Sequence, residues 1–134
     1  MSEQDAVLFA NEAFYLAFAN RDLAAMDEVW SRAHDVACIH PGWQPLSGRE
    51  EVMESWTGIL ANDEAPRVSC RAARAYLAGD AAFVTCFEVI GKGALVATNL
   101  FCREGGLWKM VHHQAGPCNA RAGELPQDPE EPMQ

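Results

Sequence analysis

His40 closes the run VACIHPGW, residues 36 to 43, where it is followed directly by proline, glycine and tryptophan. An unperturbed imidazole titrates near neutral pH, which suits it to take a proton next to a carbonyl or to orient a substrate. At the end of a strand it can equally cap the chain by bonding a neighbouring backbone group. Asn99 and His112 form a second candidate set: a donor pair that polarises a substrate carbonyl, or two side chains that bond each other so that neither is buried unsatisfied. Arg71 with Glu88 is a third, either gripping a carboxylate or amide or forming a buried ion pair in which Arg71 keeps Glu88 ionised. The catalytic candidates are therefore His40, Asn99 and His112. The ligand-binding candidates are Phe14, Trp30, Trp43, Trp56, Arg71, Cys86, Glu88, Phe101 and Gln114. The tryptophans serve as core or as a ligand shelf, and burial decides which.

Other chemistries find little support. Cys38, Cys70, Cys86, Cys102 and Cys118 are scattered, mostly in apolar runs where cysteine acts as a small hydrophobe, so they read as reduced core residues. With no CxxC pair and no HExxH motif, neither a metal nor another cofactor is expected. A net charge of -9 opposes a nucleic-acid partner, whose affinity rests on Lys and Arg neutralising phosphates. No apolar run approaches the roughly 20 residues of a membrane span, and MSEQDAVLFANEAF lacks the basic start of a signal peptide. The expectation is a soluble, cytoplasmic protein without membrane contact.

The elements that would position these side chains fit one domain in 134 residues. Residues 5 to 19 carry Val7, Ala10, Asn11, Phe14, Ala17 and Phe18 at helical spacing. After Asn20-Arg21, Asp22 is a plausible N-cap for a second helix bearing Leu23, Met26, Val29 and Trp30. A short strand, Val36 to His40, stops at Pro41-Gly42. Ser47-Gly48-Arg49-Glu50 has the capping-box form S-x-x-E and opens a third helix that presents Val52, Met53, Trp56, Ile59 and Leu60 and ends near Asn62. Beyond Pro66 the period changes, and four strand-like segments are separated by Gly79-Asp80, Lys92-Gly93 and Gly105-Gly106. The stretch ARAGELPQDPEEPMQ is acidic and proline-rich, so residues 118 to 134 are expected as a disordered tail. The predicted architecture is α+β: a cone-shaped, curved antiparallel sheet packed on three N-terminal helices and enclosing an internal pocket.

Two-residue turns would fix the register. Ala78 opposite Ala81 pairs Arg71 with Glu88 and Ala73 with Cys86. Gly91 opposite Ala94 pairs Cys86 with Asn99, and Glu104 opposite Leu107 pairs Asn99 with His112 and Ala97 with Gln114. One face then carries these polar rows over Val84, Phe101, Trp108 and Met110, a pocket-like mix. The other carries Tyr76, Phe83, Thr85, Phe87, Val89, Leu100, Val111 and His113, too apolar for solvent, and is expected to form a two-fold homodimer.

The segments NRDLAAMDEVW, VACIHPGWQPLSGREEVMESW and ATNLFCREGGLWKMVHHQAGP resemble the nuclear transport factor 2-like superfamily, within it the SnoaL-like and ketosteroid-isomerase-like proteins, over residues 5 to 117. The last segment is also similar to the oligomer-forming association domain of calcium/calmodulin-dependent kinases. The resemblance implies that His40, just before Pro41, occupies the isomerase's general-base position, which is an aspartate there. Its two oxyanion donors, a tyrosine and a protonated aspartate, fall on Phe14, with Tyr15 adjacent, and on Asn99. The implied function is a small-molecule-binding domain for an apolar or carbonyl-bearing ligand, of isomerase or dehydratase type if catalytic. The alternative is a non-catalytic ligand-binding or assembly module. Convergence of His40, Asn99 and His112 on one point would favour catalysis; mutual satisfaction would favour binding.

Overall fold

A computed structural model describes residues 1–126. Helix α1 spans Glu3–Ala19, two residues earlier than its apolar period suggests, because Ser2 and Asp5 form a reciprocal capping box. Asp22 caps α2, Leu23–Val29, by accepting from the Ala25 amide. Strands β1, Ala37–Ile39, and β2, Leu46–Ser47, precede α3, Arg49–Ala61. The cap of α3 is Gly48 at φ +87°, without a side-chain bond. Ser47 is drawn into β2 instead, where it pairs with Ala37, so the expected Ser47 capping box does not form.

Four long strands follow: β3, Ser69–Ala78; β4, Ala81–Ile90; β5, Gly93–Glu104; and β6, Leu107–Pro117. With β1 and β2 they make one curved sheet in the order β2-β1-β6-β5-β4-β3. The early strand β1 runs parallel to β6, and every other pair is antiparallel. The helices cover one face, and the core between the layers is built from Phe14, Met26, Trp30, Trp56, Phe101 and Met110, all fully buried. Arg49 locks α3 to the end of α2: its guanidinium donates to the carbonyls of Asp27, Trp30 and Ser31 and to the Asp27 carboxylate at 2.6 Å.

The turns explain where the register differs from expectation. Ala78 does face Ala81, and Glu104 faces Leu107. Between β4 and β5, however, Ile90 faces Gly93, so the turn residues are Gly91-Lys92. Gly91 takes φ +59° at the first turn position, which lysine would adopt only with strain. That two-residue shift leaves every side chain on its face.

Two bulges do more. One lies between Arg71 and Arg74, with Ala72 at φ +57°, and puts Cys70 rather than Arg71 opposite Glu88. The other lies near Val111: Phe101 faces Met110 while Leu100 faces His112, so Asn99 pairs with His113. A one-residue slip moves all later side chains to the other face. His113, expected outside, is therefore buried, and His112 and Gln114 turn outward.

Residues 118 to 126 also depart from the expected tail. They include a 3-10 turn, Ala122–Glu124, whose Ala122 amide donates to the Lys92 carbonyl, and Leu125 is buried. The rest of the proposed tail lies outside the described residues.

Candidate functional site

The polar centre of the domain is built from α1 and the inner face of the sheet. Asn11 and Tyr15, one helical turn apart on α1, face Cys86 and Glu88 of β4, Asn99 of β5 and His113 of β6. All six are buried. The Asn99 amide donates to Asn11 Oδ1 at 2.8 Å and to the Tyr15 hydroxyl at 3.2 Å. With its Nδ2 committed as donor, Asn99 Oδ1 must accept, so His113 Nδ1–H donates to it at 2.6 Å. Tyr15 in turn donates to Glu88 Oε2 at 2.7 Å. Hydrogen bonds thus run in one direction, from His113 through Asn99 and Tyr15 to Glu88, and His113 Nε2 returns to within 3.7 Å of Glu88 Oε2.

Burial decides the charge states. It raises the Glu88 carboxyl above its ordinary value, with the Tyr15 hydrogen bond opposing. It lowers His113 to about 3, with His40 and His112 adding to the effect, so this imidazole is neutral at pH 7. Tyr15 is held well above the phenol range by burial and then by Glu88, and remains a donor.

His40 is also buried but sits outside this chain of bonds. Its ring packs edge-on against Trp43 at 4.8 Å and Trp56 at 4.9 Å, with the His113 ring 6.4 Å away. Ser55 spends its proton on the Val52 carbonyl at 2.6 Å, so His40 Nε2–H donates to Ser55 Oγ at 2.9 Å and Nδ1 keeps the lone pair. Burial lowers His40 to about 4 and leaves it neutral.

Trp56 lies beside both histidines, its ring 4.9 Å from that of His40. Phe14, Phe18 and His113 surround it at ring separations of 5.4, 5.0 and 6.2 Å. Its indole nitrogen is buried with no hydrogen-bond acceptor among the described residues, and the same holds for Trp30.

Among the sequence-derived candidates, Phe14, Trp56, Cys86, Glu88, Asn99 and Phe101 come together in this interior, and Trp30 is in the core beside them. Trp43 is 49 % exposed and lines an open cavity of about 570 Å³ with Ser55, Glu51 and Glu54. His112 Nδ1–H donates to the Ala37 carbonyl at 3.0 Å instead of reaching Asn99. Arg71 faces Phe87 across β4 and donates to the Ala122 carbonyl at 3.2 Å, away from Glu88. Gln114 is exposed on the outer face. Sequence reasoning missed His113, Tyr15 and Asn11 as site residues; Asn11, a polar residue in the apolar stripe of α1, was the available signal. Among the described residues no group of His, Cys, Asp and Glu is arranged to hold a metal ion, and no helix is long and apolar enough to cross a membrane.

A model of the SnoaL-like domain matches residues 7–118. The chain is 34% identical, with a TM-score of 0.79, to a crystal structure of a Streptomyces avermitilis protein assigned as a dehydratase of the nuclear transport factor 2-like family; 88% of this chain and 97% of that one are covered. It is 37% identical, with a TM-score of 0.70, to a Thiobacillus denitrificans structure assigned as a calcium/calmodulin-dependent protein kinase type II association domain, covering 82% and 93%. The F-box protein SKIP8 of Arabidopsis thaliana is 30% identical over 112 residues, 82% of this chain but 48% of that protein, so the chain spans about half the length of this curated relative. With its helices on one face of a curved six-stranded sheet and a polar core at their junction, the chain belongs to the SnoaL-like domain family of the nuclear transport factor 2-like superfamily.

Proposed function

We propose that this domain binds a small, mostly apolar molecule whose carbonyl or hydroxyl oxygen accepts from Trp56 in the interior between His40 and His113. The observation that carries the reading is the buried Trp56 N–H without an acceptor among the described residues. A buried donor left unsatisfied costs about 1–3 kcal/mol, which an incoming oxygen would recover. Phe14 and Phe18, edge-on against Trp56, make the surroundings of that donor apolar, as suits such a ligand.

If the bound molecule is turned over, His40 is the base. The ring is neutral at pH 7 and its Nδ1 carries a lone pair, with the Cys38 sulfur 4.0 Å away, and the similarity to a structure assigned as a dehydratase supports proton transfer of isomerase or dehydratase type. Asn99 serves as a donor only by giving up Asn11 or Tyr15. The mutually satisfied polar centre therefore favours binding over catalysis by that residue.

Native mass spectrometry of the protein as purified tests the reading. The wild type should carry a discrete small-molecule mass that Trp56→Phe, which keeps the ring and removes the donor, loses. Ligand-free wild type, or the same adduct retained by Trp56→Phe, would sink it.

A second reading rests on the outer sheet face, which exposes Tyr76, Phe83, Val96 and Leu100, with Tyr76 and Phe83 stacked at 4.8 Å. We propose that two copies pair through this face as a homodimer, in keeping with the similarity to an association domain. The five cysteines stand as thiols, in keeping with a reducing, cytoplasmic setting.

A further inference from the structure

Helix α3 turns one face toward open space. Glu51, Glu54, Ser55, Gly58 and Ile59 recur at the three- and four-residue steps of a single helical stripe, and all five line the open cavity of about 570 Å³ together with Trp43. The turn after β1 fixes Trp43 in this place: its amide donates to the His40 carbonyl at 2.9 Å, and the His40 ring packs edge-on against its indole at 4.8 Å. Held in this way, the indole is still 49 % exposed.

Two features of this cavity have no use inside the domain. Gly58 lies in the interior of α3, where glycine is less favourable than alanine, yet a Cβ at that position would meet nothing within 4 Å. Packing does not call for a glycine there; its effect is to keep the floor of the cavity clear. Glu51 and Glu54 are neighbours on the helix surface and place two carboxylates on one wall, where like charges repel. The Ser47 amide reaches Glu51 Oε1 at 3.4 Å, but no lysine or arginine lines the cavity among the described residues. Arg49, the nearest cation in sequence, is committed to Asp27, Trp30 and Ser31.

We propose that this cavity binds a small organic ammonium ion of the methylated or quaternary kind, its cationic head against the Trp43 ring and its charge balanced by the Glu51 and Glu54 carboxylates. The face of an aromatic ring attracts a cation through its quadrupole, and tryptophan does so best. An alkylated ammonium also has apolar methyl groups to lay against Ile59 and against the floor that Gly58 leaves clear. The volume is that of a small-ligand site.

This site is separate from the interior around Trp56 and does not depend on what binds there. The two adjoin at Ser55, which lines the cavity and accepts from His40 Nε2–H at 2.9 Å. A bare metal ion is a poorer occupant, because among the described residues no group of His, Cys, Asp and Glu is arranged to hold one.

The test is a titration of the intact protein with choline, followed by proton–nitrogen correlation NMR of its four indole N–H groups. The Trp43 signal is the one missing from Trp43→Leu. The control ligand is the uncharged carbon analogue of choline, in which a tert-butyl group replaces the trimethylammonium. Choline should shift the Trp43 signal saturably, with a dissociation constant at or below about 1 mM, and should bind roughly ten-fold more tightly than the analogue. Glu51→Gln/Glu54→Gln should weaken choline and leave the analogue unchanged. Gly58→Leu, which fills the floor and favours the helix, should abolish the shift without lowering the thermal midpoint. No saturable shift in the wild type, equal affinity for choline and its analogue, or unchanged choline binding in Gly58→Leu would overturn the proposal. Tighter binding of a trimethyllysine peptide than of choline would also overturn it, since the cavity would then be a protein-docking site. The wild-type titrations decide alone if a variant fails to fold.

Discussion

Replacing Asn99 with leucine, close to it in size, removes the hub of the polar core while leaving little cavity. Asn99 is 0% exposed and engages His113, Asn11 and Tyr15, with the Cys86 sulfur 4.0 Å from its amide nitrogen. In Asn99→Leu, His113 Nδ1–H and Asn11 Oδ1 lose their partners, while Tyr15 still donates to Glu88. Two buried groups left unsatisfied cost about 1–3 kcal/mol each, and the added apolar burial returns about 1–2 kcal/mol. The net loss should be about 3 kcal/mol, a large share of the roughly 5–15 kcal/mol that holds a domain of this size folded. With a urea dependence of about 1.5 kcal/mol per molar, the midpoint of a circular-dichroism urea titration should drop by about 2 M at unchanged slope. Tyr15→Phe is the matched control. It deletes the hydroxyl between Asn99 and Glu88, leaves one buried group, Glu88 Oε2, without its donor, and should cost about 2 kcal/mol. If Asn99→Leu proved no more damaging than Tyr15→Phe, the idea of Asn99 as the hub would be wrong.

Two further outcomes can be measured. Folding lowers His113 to about 3 and His40 to about 4, so the neutral forms are favoured; their contribution is complete above pH 6.5 and is lost as pH falls toward the folded values, by about 1.4 kcal/mol per pH unit for each histidine. Glu88 has the opposite sign: its raised carboxyl contributes below 4.5 and loses that contribution as pH rises through its folded value. Urea midpoints should therefore fall from pH 7 to about pH 5, less steeply in His113→Gln; equal stability at both pH values in the wild type would contradict the burial of two neutral imidazoles. For the outer face, sedimentation equilibrium should show a wild-type dimer and a monomeric Phe83→Lys/Leu100→Lys variant that retains its far-ultraviolet spectrum. A wild type that stays monomeric would remove the homodimer proposal.

How much of the site the sequence contained depended on how far each residue sat from a bulge. The α1 stripe, the Asp22 cap and the Gly79-Asp80 and Gly105-Gly106 turns were readable, because helical period and turn chemistry are local. Inner positions near those turns, such as Val84, Phe101 and Met110, followed from alternation and are buried as expected. Beyond the bulges the same counting failed. Alternation points His112 and Gln114 inward, yet they lie outward; it points His113 outward, yet it lies at the centre; and Cys70 takes the place of Arg71 opposite Glu88. Neither bulge contains a glycine or proline to announce it.

The sequence by itself determined the three helices, the long strands, their order and the helix-covered sheet, since these rest on periodicity, caps and turns within a few residues, and it carried the family as a resemblance in three segments. Only the tertiary structure decided which histidine enters the core. It also decided that Tyr15 and Asn11 complete the hydrogen-bond chain. Those facts depend on register, and one unpaired residue in a strand, invisible to local pattern, turns every later side chain to the opposite face.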